Sequence, residues 1–294
     1  MVESSEPHAH FLVPSGIGDI SWIYSKLVSL DVPLHMSVTP GQPQRAVPYL
    51  ELLPRVVRAD YGGLPTDEVL RLGQHPNMRA ADVLLRAREK PLPIQINTHL
   101  EHGQRIELYM PELPVQHHYR IAIPEADVMA ARRALVPWER FVTFYCANAR
   151  TAAAWKGWAS SDWAEMAALL VPAYQLDGVV MIGADWDISL AAEIAPRIEA
   201  AGVAVKNLTG HLSMGASLHV IREGRYLVAF PSGMPILAAV MRCPVMMFYP
   251  KHLEPMQIAF ADPEMIEEGT YKGCQFCPAT RAFAWIKERW PVMD

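Results

Sequence analysis

The amino-acid sequence predicts an α/β protein with two Rossmann-like domains, each built on a parallel sheet. Apolar runs of strand length alternate with segments of helical periodicity along most of the chain, which is typical of this class. The 294 residues exceed the usual size of one domain, so two domains are expected. Because 51% of the residues are hydrophobic and 19% are charged, the composition also excludes a disordered chain.

The first half of the chain opens with a predicted strand, glycine loop and helix. The strand is expected at 10–14, the loop at 15–19, and the helix from Ile20, where apolar residues recur at helical spacing. A further helical segment is predicted at 66–74. The proline-rich stretch 112–138 breaks the periodicity and is predicted to connect the two domains. Further strands are predicted at 34–40, 56–59 and 94–97.

The second half of the chain alternates strand and helix more regularly. Helices of this length between strands predict a parallel sheet that is covered on both faces. The expected organisation is a first domain at 1–136, a second domain at 137–277 and a last helix within 278–294. Strands are predicted at 140–150, 178–184, 204–210, 226–230 and 243–250, and helices at 160–174, 187–202, 213–224, 231–242 and 280–290.

The bulk properties predict a cytoplasmic protein. No apolar run reaches the roughly 20 residues that span a bilayer, and the start of the chain lacks the pattern of a signal peptide. Four cysteines are too few to indicate a secreted disulfide framework. The formal net charge of −5 gives no sign of nucleic-acid binding, although a local basic groove stays open.

The first motif that can carry chemistry is the loop 15–19. Gly16 and Gly18 permit a tight turn and a close approach of a ligand, and the following helix offers unpaired N–H groups to an anion. A dinucleotide fingerprint would need a third glycine, which this loop lacks. For Asp19, two interpretations stay open: a ligand-facing carboxylate or a helix N-cap.

The second motif follows the predicted strand at 140–150. Arg150, Thr151 and Lys156 lie beyond its carboxyl end, where ligands of open α/β sheets collect. Lys156 could neutralise a phosphate. The alternative is a solvated lysine between tryptophans, Trp155 and Trp158, that serve only in packing.

The third motif is an acidic residue after the predicted strand at 178–184. A carboxylate at Asp185 could accept hydrogen bonds from the hydroxyls of a ribose. The alternative is that Asp185 only caps the helix that follows.

The fourth motif joins the predicted strand at 226–230 to an apolar helix. The backbone N–H groups of Ser232 and Gly233 would stand at the N-terminus of that helix, which suits a diphosphate. The alternative is an ordinary turn between strand and helix.

The cysteines give no support for a metal site. Cys274 and Cys277 have the spacing of half a zinc site, but no second close pair completes the four ligands. Cys146 and Cys243 fall in or beside predicted buried strands, where a free cysteine acts as a small hydrophobic residue. No metal is therefore predicted.

Taken in order, the four motifs resemble those of glycosyltransferase family 9, the ADP-heptose-dependent heptosyltransferases of lipopolysaccharide core synthesis. The resemblance covers roughly 10–30 and 140–250, is specific in the second span and is weak at 35–135. The matching segments are SGIGDISWIYSKL, WKGW, VVMIGADWD and the long stretch from Asn207 to Pro250.

The resemblance implies the GT-B architecture, in which two Rossmann-like domains face each other and the second holds most of the donor. It also implies that the last helix crosses back to the first domain. The expected activity is a metal-independent, inverting transfer of a sugar from a nucleotide-diphosphate sugar to an acceptor hydroxyl. No cofactor is expected beyond this nucleotide-sugar co-substrate.

The resemblance also implies roles for individual residues. Asp19 would be the general base, and Lys156 would neutralise the departing diphosphate. Asp185 would bind the ribose. Further donor contacts would come from Gly16, Gly18, Arg150, Thr151, Ser232 and Gly233.

The last turn departs from the family pattern. Pro231 stands where the family has an acid, and Ile236 stands where it has a histidine, so two polar donor contacts are missing. A different donor sugar or acceptor therefore stays open, including another glycan or a modified DNA base. A catalytically degenerate nucleotide-sugar-binding protein and a sugar-nucleotide epimerase are further alternatives.

Overall fold

The computed structural model describes residues 8–39, 46–62, 70–71, 79–95, 110–146, 158–249, 263–268, 270–275 and 277–289. The chain divides into two compact units, Met1–Ala122 and Ile123–Asp294. Each unit contains a parallel sheet with helices in the connections. The predicted α/β class is confirmed.

The sheet of the first unit has the strand order β3-β2-β1-β5-β4, and its paired strands run parallel. Ala9, Phe11 and Val13 of β1 are completely buried, as expected for a central strand that is covered by helices. The strands are β1 (Ala9–Val13), β2 (Leu34–Val38), β3 (Val56–Tyr61), β4 (Leu70–Arg71) and β5 (Leu92–Gln95). The helices are α1 (Ile17–Leu27), α2 (Ala46–Leu50) and α3 (Ala80–Glu89).

The sheet of the second unit has the order β11-β10-β9-β6-β7-β8 and is also parallel. From β6 the chain builds outwards on one side through β7 and β8, and then returns to build β9 to β11 on the other side. The strands are β6 (Phe141–Tyr145), β7 (Gly178–Ile182), β8 (Val205–Asn207), β9 (Tyr226–Ala229), β10 (Val245–Tyr249) and β11 (Tyr271–Gln275). The helices are α4 (Glu125–Leu135), α5 (Ser160–Ala173), α6 (Ile188–Ala200), α7 (Met214–Glu223), α8 (Gly233–Val240), α9 (Pro263–Glu267) and α10 (Ala279–Arg289).

An aromatic cluster forms the centre of the second core. Trp158 and Trp163 meet edge to face with ring centroids 5.0 Å apart, and Phe230 and Phe248 pack against Trp158. Trp158 therefore packs in the core, as one of the two interpretations of the second motif expects. Its indole N–H donates to the carbonyl of Cys277, at 2.8 Å.

The C-terminal helix α10 is part of this core. Its buried residues Ala279, Ala282 and Ile286 belong to the same apolar cluster as α5, against which the helix packs. The predicted helix at 280–290 is confirmed. That it also crosses back to the first unit stays a prediction.

The stretch 112–138, which the sequence predicts to be an irregular connection, contains the helix α4. Val128, Ala131 and Leu135 give this helix a buried stripe that packs on α7. The hydroxyl of Ser213 also donates to the carboxylate of Asp127, at 2.6 Å. These contacts place α4 in the second unit, which begins at Ile123.

The predicted helix at 66–74 is wrong at least in part. Residues 70–71 form the short strand β4, which pairs with β5, and the helix of this region is α3, further along the chain. A strand of two residues is too short to show an apolar pattern of its own in the sequence. Among the described residues, no helix is long and apolar enough to span a membrane.

Candidate functional site

The glycine loop and the start of α1 lie at the carboxyl end of β1, the central strand of the first sheet. Gly16 is the N-cap of α1, and its carbonyl accepts the first helical hydrogen bond from Ile20 at 2.9 Å. Asp19 is a half-buried residue of the first helical turn, with Gly18 beside it. The N-cap alternative for Asp19 is therefore wrong, because Gly16 holds that position.

The position of the Asp19 side chain explains why residue 16 is a glycine. The backbone of Gly16 has φ −69° and ψ 114°, which any residue can adopt. A Cβ atom at Gly16 would, however, collide with a carboxylate oxygen of Asp19. The missing side chain thus leaves the space in which the carboxylate of Asp19 lies.

The second candidate region is the carboxyl edge of β9, β6 and β7, which are neighbours in the second sheet. The chain direction across the sheet reverses at β6, and ligands of open α/β sheets bind outside the strand ends at such a switch point. The segment with Asp185 follows β7, and the segment with Ser232 and Gly233 follows β9. Arg150, Thr151 and Lys156 follow β6 in sequence but lie outside the described residues.

Asp185 and Asp187 occupy the same turn of 3-10 helix but have different surroundings. Asp185 is exposed, and its carboxylate accepts a hydrogen bond from the N–H of Trp186 at 3.0 Å. Asp187 is buried and accepts a hydrogen bond from the N–H of Ala184 at 3.0 Å. Asp187 is also the N-cap residue of α6 by position, although its side chain makes no capping hydrogen bond to that helix. Asp187 and not Asp185 therefore occupies the N-cap position of α6, and Asp185 stays accessible to a ligand.

These two residues give a matched stability prediction. Asp187→Ala is expected to lower the free energy of unfolding by about 0.5–2 kcal/mol, because a buried capping bond is lost. Asp185→Ala is expected to change it by less than about 0.5 kcal/mol, as for an exposed residue. Urea unfolding of both variants measures the difference. Equal destabilisation would show that Asp185 is also structural.

Thr209 is a residue of this edge that the sequence analysis missed. It lies in the loop after β8, and this loop is held beside β7 because the N–H of Gly210 donates to the carbonyl of Gly183 at 3.0 Å. Thr209 is buried, and its hydroxyl has no hydrogen-bond partner among the described residues. A buried hydroxyl without a partner destabilises a fold unless something else satisfies it. No sequence pattern marks a lone threonine as such a group.

The turn after β9 leads directly into α8. Ser232 is the N-cap and Gly233 the first helical residue, as the fourth motif requires. The hydroxyl of Ser232 donates to the carbonyl of Phe230 at 3.2 Å and does not cap the helix. Pro235, the third helical residue, has no N–H, so the backbone donors at this end come from Ser232, Gly233 and Met234.

The two departures from the family pattern are apolar and buried in this structure. Pro231 is buried beside the N-cap, and Ile236 is buried on α8, most of whose residues lie inside the core. These side chains fill space in the core and offer no hydrogen bond to a ligand. Any binding at this turn therefore depends on the backbone.

The cysteines behave largely as expected. Cys146 and Cys243 are buried, and burial raises the pKa of both thiols, that of Cys243 to about 12. This confirms their interpretation as small hydrophobic residues. Cys274 lies in β11 and Cys277 just before α10.

Comparison with solved structures gives the same fold over nearly the whole chain. The chain is similar to the E. coli ADP-heptose lipopolysaccharide heptosyltransferase II, with a TM-score of 0.65 and 15% identity over 95% of this chain and 98% of that one. It is similar to a family 9 glycosyltransferase from Veillonella parvula, with a TM-score of 0.60 and 12% identity over 97% and 90%. For the E. coli heptosyltransferase WaaC with ADP, the TM-score is 0.58 and the identity 13%, over 96% and 100%.

Sequence comparison adds nothing to this likeness, because no protein-family model and no curated protein matches the chain. At 12–15% identity, the similarity to these three solved structures shows the fold alone. The two parallel α/β units and the coverage of nearly the whole chain show that this protein has the GT-B-type fold of the heptosyltransferases.

Proposed function

We propose that the protein is a glycosyltransferase that moves a sugar from a nucleotide-diphosphate sugar to an acceptor hydroxyl, with inversion and without a metal in the transfer step. The observation that carries the proposal is the carboxyl edge of the second sheet. There, an exposed carboxylate, an unsatisfied buried hydroxyl and a helix N-terminus occur in connections from three strands of one sheet. WaaC, which shares the fold, has been solved with ADP.

The nucleotide would bind at this edge through three kinds of contact. Asp185 would accept hydrogen bonds from the ribose hydroxyls, because its carboxylate is exposed. The N–H groups of Gly233 and Met234 would donate to the diphosphate at the positive end of α8. Lys156, with Arg150 and Thr151, would supply the remaining phosphate contacts, as the resemblance implies.

The transfer would be a single displacement. An acceptor hydroxyl attacks the anomeric carbon from the side opposite to the diphosphate while Asp19 takes the hydroxyl proton. The bond from the anomeric carbon to the diphosphate oxygen breaks, and the diphosphate leaves with the electron pair. Lys156 and the α8 amides stabilise the charge that develops on the leaving group.

A second candidate function is nucleotide-sugar binding without turnover. The buried Pro231 and Ile236 favour it, since they replace two polar donor contacts of the resembling family with apolar side chains. Such a protein would bind the nucleotide sugar at the carboxyl edge of the second sheet but would not transfer the sugar. A measurement of sugar transfer distinguishes the two functions.

A binding screen tests the proposal. The purified protein is expected to be stabilised by one class of nucleoside diphosphate or nucleotide sugar, by about 2.7 kcal/mol at 100 times the dissociation constant. Lys156→Ala and Asp185→Ala should weaken this binding. The matched control is Lys287→Ala, on the exposed side of α10, which should leave it unchanged. Thermal shift and calorimetry measure both effects.

The outcomes of the screen are distinct. Binding followed by acceptor-dependent release of nucleoside diphosphate supports the transferase. Binding without release, across a panel of glycan and nucleic-acid acceptors, supports the binding protein. If no nucleotide binds, both functions are wrong and the four motifs are structural.

A further inference from the structure

Three side chains that can bind a metal lie together on one face of the first sheet. His10 on β1 pairs in register with His35 on β2, and Asp60 on β3 pairs with Ser37, two residues further along β2. Since alternate residues of a strand share a face, these side chains project on the same side. One ligand atom from each of His10, His35 and Asp60 lies within 4.8 Å of the other two.

The ligand atoms belong to one hydrogen-bonded cluster. The Nε2 atom of His35 lies 2.9 Å from Oδ2 of Asp60, and the two imidazole rings stack with centroids 3.6 Å apart and an angle of 12° between their planes. The hydroxyl oxygen of Ser37 lies 2.7 Å from Nε2 of His10 and 3.3 Å from Nε2 of His35. It also donates to Oδ1 of Asp60.

We propose that His10, His35 and Asp60 bind one divalent zinc ion in the first unit, a site separate from the nucleotide-sugar chemistry. Two imidazole nitrogens and one carboxylate oxygen are a ligand set that zinc takes with a fourth position open. Ligand atoms about 2.1 Å from a tetrahedral ion lie about 3.4 Å apart. Binding of an ion would require one of the stacked imidazole rings to turn so that both nitrogens face it.

The exposure and the pKa values of the three side chains are compatible with a bound metal ion. His35 is buried and His10 half-buried, while the side chain of Asp60 is 31% exposed, which leaves an approach from solvent. Burial lowers the pKa of His10 to about 4 and also lowers that of His35. Although burial opposes it, hydrogen bonds from Ser37 and His35 hold the pKa of Asp60 below its ordinary value. Neutral imidazoles and an ionised carboxylate are the forms that bind a metal ion.

Two further residues border the cluster. The ring of His8 lies 5.6 Å from that of His35, and the guanidinium of Arg58 donates to Oδ2 of Asp60 at 3.0 Å. The Arg58 side chain is 68% exposed, so it can turn away into solvent when a cation arrives. Arg58 therefore competes with the metal for Asp60, and its removal should favour the ion.

The test is a zinc titration of the full chain after treatment with a chelator. One ion per chain is expected to bind, and Asp60→Asn or His10→Gln should weaken binding by at least about 100-fold, beyond what loss of a supporting contact does. Arg58→Gln should tighten it by up to about 5-fold, the effect of removing one exposed ion pair. His211→Ala, an exposed histidine of the second unit, is the control and should bind like the unaltered protein.

Cobalt distinguishes this site from the cysteines. Co²⁺ bound by nitrogen and oxygen should give visible d–d bands without the near-ultraviolet charge-transfer band of thiolate ligands, and Asp60→Asn should abolish these bands while the circular dichroism of the fold is kept. The proposal is overturned if zinc does not bind, if the binding is the same in Asp60→Asn, or if the cobalt spectrum shows thiolate ligands.

Discussion

Asp19→Asn is expected to lower kcat by about 10²–10⁴-fold, the usual contribution of a general base, while the affinity for the nucleotide sugar stays unchanged. Asparagine keeps the shape of the side chain and cannot take a proton from the acceptor. The nucleotide contacts proposed for Asp185, Gly233 and Met234 belong to the second unit, whereas Asp19 lies on α1 of the first. Loss of turnover with intact donor binding is therefore the signature of this role.

The measurement is steady-state release of nucleoside diphosphate, with the donor identified by the binding screen and an acceptor that supports transfer. Asp31→Asn is the matched control, because Asp31 is exposed and its carboxylate forms a surface ion pair with Arg55. It should transfer at the unaltered rate. If Asp19→Asn also transferred at that rate, the assignment of the base would be wrong.

Gly16→Ala is expected to lower kcat by about 10²-fold, the effect of misplacing a catalytic group by about 1 Å. The new methyl group would collide with the carboxylate of Asp19 and turn it out of position. The fold should tolerate the change, because the colliding atom is the end of a side chain and the backbone angles suit alanine. The free energy of unfolding should change by less than about 1 kcal/mol, because alanine restricts the unfolded chain but is a poorer N-cap residue than glycine.

Gly202→Ala is the converse control. Gly202 has φ +80°, and a Cβ atom there would contact nothing within 4 Å. Alanine in this conformation is strained and should lower the free energy of unfolding by about 1 kcal/mol with no effect on transfer. Gly16→Ala should therefore lower kcat and change the free energy of unfolding little, whereas Gly202→Ala should lower the free energy of unfolding and leave kcat unchanged. Urea unfolding and steady-state kinetics on both variants measure the two quantities. A stable Gly16→Ala variant with full activity would contradict the role of Asp19.

Much of the fold could be predicted from local patterns. Buried parallel strands such as β7 and β10 are continuous apolar runs, and helices such as α6 show clear apolar spacing, so both are visible in the sequence. α4 was missed because Pro124 and Pro137 bracket it, and prolines close together suggest an irregular segment. β11 was missed because a lysine and a glycine interrupt its five residues.

The candidate sites were predictable only where the residues are close in sequence. Gly16 and Asp19 share one loop and helix turn, but the collision that makes Gly16 necessary depends on the direction of a side chain. His10 lies 27 residues from Ser37, and His35 lies 25 from Asp60, so their meeting depends on strand order and register. No spacing in the sequence reveals such a cluster.

The turn into α8 has a consequence for how the enzyme would respond to acid. Residues 231–236 contain no ionisable side chain, so this turn adds no side-chain titration to the binding of a diphosphate. A histidine and an acid in these positions would have added their own titrations to the rate profile. At saturating donor, the acid limb of the profile would then report the protonation of the base on α1, without a contribution from this turn.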